Sequence, residues 1–262
     1  MSNAALHVAR TGLDAQAARM RVIANNLANV NTTGFQKERA EFQTLSYQTM
    51  TAPGAASSGD SRYAIGQSLG SGVQMTGIAR MGTQGPLQST DNPYDLAIQG
   101  DGFFQVQKPD GTTGYTRAGN FQVSSEGQLV TSEGFPLQPD IRVPEGAQSV
   151  TIGADGKVSA MVAGQAEASE IGQIELARFV NPAGLLPLGD NLYQATQASG
   201  EPQVGAAGAE GRGMIRQGAL EGSNVNVVQE LVDMIETQRA YEVNSKMIQA
   251  TDEMLRNANQ QL

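Results

Sequence analysis

Ser223 to Leu262 reads SNVNVVQELVDMIETQRAYEVNSKMIQATDEMLRNANQQL, forty residues with neither Gly nor Pro. Val227, Met234, Tyr241, Ile248 and Leu255 recur at seven-residue intervals, and Val228, Leu231, Ile235, Met247 and Met254 fill neighbouring i+3 and i+4 positions. That spacing keeps an apolar stripe on one side of a helix, and a lone helix cannot hide such a stripe from water. This helix needs a partner.

The other end of the chain offers one. Leu6, Leu13, Met20 and Leu27 also recur at sevens, with Ala9, Ala17, Ile23, Ala24 and Val30 beside them. Only Gly12 interrupts, at a cost of about 1 kcal/mol relative to Ala. Isolated helices of this length are marginal in water, so this one also requires burial. Two readings follow: a private helix pair inside one protein, or a rod-like domain whose remaining apolar surface packs against other copies. On the second reading the assembly surface comprises Leu6, Leu13, Met20, Ile23, Leu27, Val227, Leu231, Met234, Ile235, Tyr241, Ile248 and Leu255.

Between the ends the punctuation changes. Asn31-Thr32-Thr33-Gly34-Phe35 should stop the first helix, because Asn, Thr and Gly compete with helical backbone bonding. Thr51 to Ser71 is rich in Gly, Ser and Ala and reads as an extended arm or flexible linker. All ten Pro lie from Pro53 to Pro202, and 29 of the 31 Gly from Gly54 to Gly222, which marks a turn-dense β region. Lys108-Pro109-Asp110-Gly111, Ser125-Glu126-Gly127 and Ala154-Asp155-Gly156 each separate short alternating runs, as hairpin turns do. The expected class is α+β. Long terminal α-helices pair in a coiled-coil-like domain (1–35 with 223–262), and a mainly antiparallel all-β domain (72–204) is inserted, reached by arms at 36–71 and 205–222.

Composition narrows the chemistry. Net charge is −9, from 26 acidic and 17 basic residues without a basic cluster. Nucleic acid and anionic membrane surfaces call for concentrated Lys and Arg, so neither is an expected partner. The absence of Cys excludes disulfides and thiolate metal sites. No signal-peptide core and no membrane-spanning run is present, so the expected protein is not membrane-inserted, and its default location on these facts alone is cytoplasmic. Gly100-Asp101-Gly102 lacks the third Gly and the following helix of a phosphate-binding loop, and reads as a tight turn. His7 has no clustered carboxylates or second His beside it. No Ser lies in a nucleophile elbow. Asp95 and Asp101 flank a strand-like segment and Asp110 and Asp155 sit in turns, where Asp usually serves backbone geometry, and none has calcium-site spacing. No catalytic, cofactor or metal site is expected; a carbohydrate-binding or carbohydrate-acting β domain with a helical oligomerisation handle is the competing class.

Ala24-Asn25-Asn26-Leu27-Ala28-Asn29-Val30-Asn31-Thr32-Thr33-Gly34-Phe35 resembles the N-terminal signature of the bacterial flagellar rod and hook (axial) proteins. Asp95 to Phe104 and Tyr115-Thr116-Arg117-Ala118-Gly119-Asn120-Phe121 resemble the inner β-domain motifs of that family. Ser223 to Val227 and Gln238-Arg239-Ala240-Tyr241 resemble its C-terminal helix. The motif positions carried over are Asn25, Asn26, Leu27, Asn29, Thr32, Gly34, Phe35, Gln238, Arg239 and Tyr241. Length and wording are most similar to the distal-rod members, with the proximal-rod members next. The resemblance implies a homo-oligomeric helical tube in the periplasmic basal body, exported by the flagellar type III route without a cleaved signal peptide. It further implies other rod subunits, the hook protein and the surrounding P- and L-ring proteins as partners.

Overall fold

The computed structural model describes residues 2–58, 61–162 and 168–260. Two long helices bracket the chain, α1 (Ser2–Ala28) and α2 (Val227–Gln260). The chain divides into two compact units: Met1–Leu27, Glu38–Ala79 and Asn226–Leu262 form the first, and Ala28–Lys37 with Arg80–Val225 form the second. The architecture is α+β with mainly antiparallel strands between the helices.

Both helix boundaries follow local chemistry. Asn226 caps α2: its Oδ1 accepts the amides of Val228 at 3.0 Å and Gln229 at 3.2 Å, two of the donors a helix start leaves orphaned. Beyond α1 the chain turns, and Gly34 takes a left-handed φ of 69°.

Residues 38–80, whose central Gly/Ser-rich part reads as arm or flexible linker, form a nested hairpin. Glu38–Thr44 pairs with Val73–Arg80, Tyr47–Thr51 with Gln67–Gly70, and Ala56–Ser58 with Ser61–Arg62. The two-stranded ribbon satisfies its own backbone along one edge and has no face it must bury. It therefore needs no strict alternation, and composition alone does not announce its strands.

The second unit holds both hydrophobic clusters. A seven-stranded antiparallel sheet runs Leu186–Gly189, Leu192–Gln194, Thr113–Thr116, Phe103–Gln107, Glu175–Arg178, Gln203–Ala206, with Leu137–Gln138 also on Phe103–Gln107. A three-stranded sheet, Ala147–Ile152, Lys157–Val162 and Ser169–Gln173, adds Val150, Ile152, Val158 and Ala160 to a core with Phe104, Phe121, Leu129 and Leu176. Phe104 and Phe121 meet edge to face at 5.2 Å, a favoured aromatic geometry. All three expected turns are hairpin turns, with Gly111, Gly127 and Gly156 each at positive φ. No helix among the described residues is long and apolar enough to cross a membrane.

Candidate assembly surface

Three contacts align α1 and α2 antiparallel within the first unit. Asn26 Nδ2 donates to Glu230 Oε2 at 3.1 Å, Arg19 lies 3.8 Å from Asp233, and a Cβ at Gly12 would stand 3.2 Å from Asn244 Nδ2. Gly12 thus leaves room for the Asn244 side chain, which explains a helix-weakening residue in mid-helix. Asn26 is buried and works in two directions. Its Oδ1 accepts the Glu38 amide at 2.9 Å and its Nδ2 donates to the Glu38 carbonyl at 2.8 Å, so one side chain stands in for a neighbouring strand.

Among the described residues the buried side of this pair is small, polar or β-branched. In α1 the buried residues are Ala9, Ala18, Val22, Ile23 and Asn26, and in α2 they are Glu230 and Thr237. Thr237 returns its hydroxyl to the Asp233 carbonyl at 2.6 Å. Of the residues expected on the assembly surface, Ile23 is buried within the chain. Leu6, Leu13, Met20, Leu27, Met234 and Ile248 are half-buried, while Val227, Leu231, Ile235 and Tyr241 are exposed. Leu255 lies in α2 with its side chain outside the described set.

Six apolar residues of α2 point away from its buried stripe, along which Met234 and Ile248 are half-buried. Val228, Val232, Ile235, Val243, Met247 and Met254 succeed one another at intervals of three, four, seven or eight residues, and all are exposed, Val228 to 71%. Those intervals keep a single helix face, roughly opposite Glu230 and Thr237. The hairpin repeats the pattern, with Phe42, Tyr47, Met50, Tyr63, Ile65, Leu69, Met75 and Ile78 all exposed, Ile65 to 85%. Scattered exposed apolar residues are ordinary, but a continuous stripe marks a surface that something covers. Among the described residues of this unit only Ala9, Ala18, Val22 and Ile23 are buried hydrophobics, and neither core cluster includes one. Ordering a residue costs about 1–2 kcal/mol of backbone entropy, which so few buried side chains do not offset.

Several motif residues meet in the second unit at a junction of three chain segments. Asn224 Oδ1 accepts the Lys37 amide at 2.6 Å, while its Nδ2 donates to the Met81 and Thr83 carbonyls at 3.0 and 2.8 Å. The Gly34 amide donates to the Glu221 carbonyl at 2.8 Å. A Cβ at Gly34 would sit 2.6 Å from the Ala118 nitrogen, so its place admits only glycine. Thr32 bonds Asn29 through its hydroxyl and its amide, each at 3.1 Å, and Phe35 is half-buried beyond them. Arg117 and Glu221 form a buried ion pair at 2.8 Å, with the guanidinium also donating to the Gly102 and Gly100 carbonyls. Gln238 and Arg239 remain exposed on α2. The Arg117–Glu221 pair and the Asn224 bonds were invisible as spacing, since they join residues more than 100 positions apart.

Three of the four carboxylates considered for chemistry, Asp95, Asp110 and Asp155, serve local turns. Asp95 accepts from Asn92, Asp155 accepts the Lys157 amide, and Asp110 accepts the Thr112 hydroxyl and amide. Those bonds, with Lys108 nearby, hold the exposed Asp110 carboxyl at about 2. His7 Nδ1 lies 3.2 Å from the Ser71 carbonyl. Among the described residues no three His, Asp or Glu converge on a metal-sized site.

Comparison with known proteins agrees with this distribution. Residues 6–36 match the model for the flagella basal body rod protein, 97–160 that for the flagellar hook protein FlgE/F/G D1 domain, and 216–261 that for the flagellar basal body rod FlgEFG protein C-terminal region. The flagellar basal-body rod protein FlgG of Buchnera aphidicola subsp. Schizaphis graminum is 51% identical over 97% of this chain and 98% of its own. That of Borreliella burgdorferi is 47% identical over 97% of each. In Caulobacter vibrioides, FlgG is 45% identical over 98% of this chain and of its own, and FlgF 39% over 92% and 90%. A solved hook protein, FlgE2 of Helicobacter pylori, aligns at 15% identity with a TM-score of 0.24, over 71% of this chain and 43% of that one, and carries no argument. Near-full-length identity of this order is decisive: the chain belongs to the flagellar basal-body rod protein family, in the group whose members carry the name FlgG.

Proposed function

We propose that this protein is a structural subunit of the distal rod that assembles, copy upon copy, into a helical tube. The tube transmits motor torque to the hook and surrounds the export channel. The observation that carries this reading is the outward face of the first unit: Val228, Val232, Ile235, Val243, Met247 and Met254 are exposed along one side of α2, and few described residues are buried between the helices. A repeated head-to-tail contact that does not close into a ring covers such faces in every copy and builds a filament.

In this reading α1 and α2 pair in a coiled-coil-like inner layer, extended by helices of neighbouring copies. The assembly set runs from Leu6 to Leu27 on α1 and from Val227 to Leu255 on α2. The hairpin of residues 38–80 reaches neighbouring copies and adds stiffness. Partners are other rod subunits, the hook protein and the P- and L-ring proteins, in the periplasm after type III export. A distal place is favoured over a proximal one because, within Caulobacter vibrioides, the identity is 45% to FlgG and 39% to FlgF.

Electron micrographs of the concentrated purified protein test the reading. Tubes or stacked discs are expected; single particles at every concentration and salt condition would overturn it.

A further inference from the structure

Residues 214–225 supply partners to several separate segments of the second unit. Met214–Gln217 pairs with Leu96–Gln99, and Ala219–Glu221 pairs with Leu87–Ser89. Ile215 enters the main core and Ala219 is fully buried. Gln217 accepts the Ile152 amide at 3.0 Å and donates to the Val150 and Pro93 carbonyls at 2.8 and 2.9 Å. Glu221 meets the guanidinium of Arg117 and accepts the Gly85 amide at 3.2 Å. Asn224 then ties Lys37, Met81 and Thr83 together, two residues before the cap of α2.

Undocking this segment would break both ladders and leave the buried Arg117 guanidinium without its carboxylate and the Gly85 amide without its acceptor. Such groups cost far more unpaired than they contribute when paired. The segment is thus a condition for the body it closes, unlike an edge strand that can fray alone.

We infer that residues 214–225 are a closing strap: the second unit holds its core only once they have docked. A chain presents a folded β unit only when it is complete through the start of α2, so an incomplete subunit is excluded from any assembly that needs that unit. This goes beyond the proposed function and does not depend on it.

Native-state hydrogen exchange on the full-length protein tests the strap. Ile215, Gly218 and Gly222 report on it, their amides bonded to Ala154, Asp95 and Pro86; Gln107 and Thr131, bonded to Pro136 and Phe135, report on the body. Strap and body are expected to exchange through one common opening. Asn224→Ala is expected to speed both by the same factor, roughly tenfold or more, since its bonds to Lys37, Met81 and Thr83 are all lost. A wild-type strap that exchanges well ahead of the body, or a variant that speeds the strap alone, overturns the inference. Should the variant not fold, the wild-type comparison decides by itself.

Discussion

Ile235→Asp is expected to abolish tube formation while leaving the dissociated subunit as stable as wild type. Ile235 is half exposed, in the middle of the outward stripe from Val228 to Met254. In the free subunit a carboxylate there stays in water, and exposed substitutions of this kind usually move stability by no more than about 0.5 kcal/mol. In a tube the same carboxylate enters a dry helix interface, and a buried charge without a partner costs several kcal/mol. Because every subunit repeats the contact, the penalty recurs at each addition step. Sedimentation and electron microscopy read the first effect, and thermal melting of the subunit reads the second. Tubes formed at the wild-type critical concentration would remove this face of α2 from the assembly. Leu27→Asp and Met234→Asp test the surface less cleanly, because both residues are half-buried within the chain.

Glu221→Ala is the second large effect, and it acts on stability. Arg117 and Glu221 side chains are 5% and 3% exposed, so neither charge has recourse to water. Removing one member of such a pair typically costs about 3–5 kcal/mol, because the other stays buried and unpaired. That is a large share of the roughly 5–15 kcal/mol by which domains are stable. Chemical denaturation followed through the β unit should show the loss. Replacing both partners, as Arg117→Met with Glu221→Met, is expected to recover only part of it. The Gly100 and Gly102 carbonyls would still lack the donors that Arg117 gives them. A Glu221→Ala loss below about 1 kcal/mol would mean that the pair is of the weak, screened kind.

Features set by neighbours in sequence were legible beforehand. The helix stop before Gly34 and the hairpin turns at Gly111, Gly127 and Gly156 are each fixed by a few adjacent residues. The heptad spacing also located both helices. What it could not supply was direction. Periodicity identifies an apolar face without saying which neighbour covers it, and here the seam took Ala18, Val22, Thr237 and Glu230 while Ile235 and Val228 stayed outside. The hairpin of residues 38–80 was illegible for a related reason: a ribbon with no face to bury carries no alternating pattern. The Asn224 junction and the Arg117–Glu221 pair join residues far apart in sequence, and no local rule reaches that far. The family resemblance pointed to several of the junction residues, and the geometry supplies their physical cause.

In the proposed rod the first unit is completed by other copies. Amide exchange of α1 and α2, compared in dilute subunit and assembled form, tests this. Both helices are expected to exchange rapidly in the dilute subunit, while Gln107 and Thr131 of the second unit stay protected, and to become protected on assembly. Helices already fully protected in the dilute subunit would contradict it, since the unit would then be stable without a neighbour to cover Val228, Ile235 and Met247.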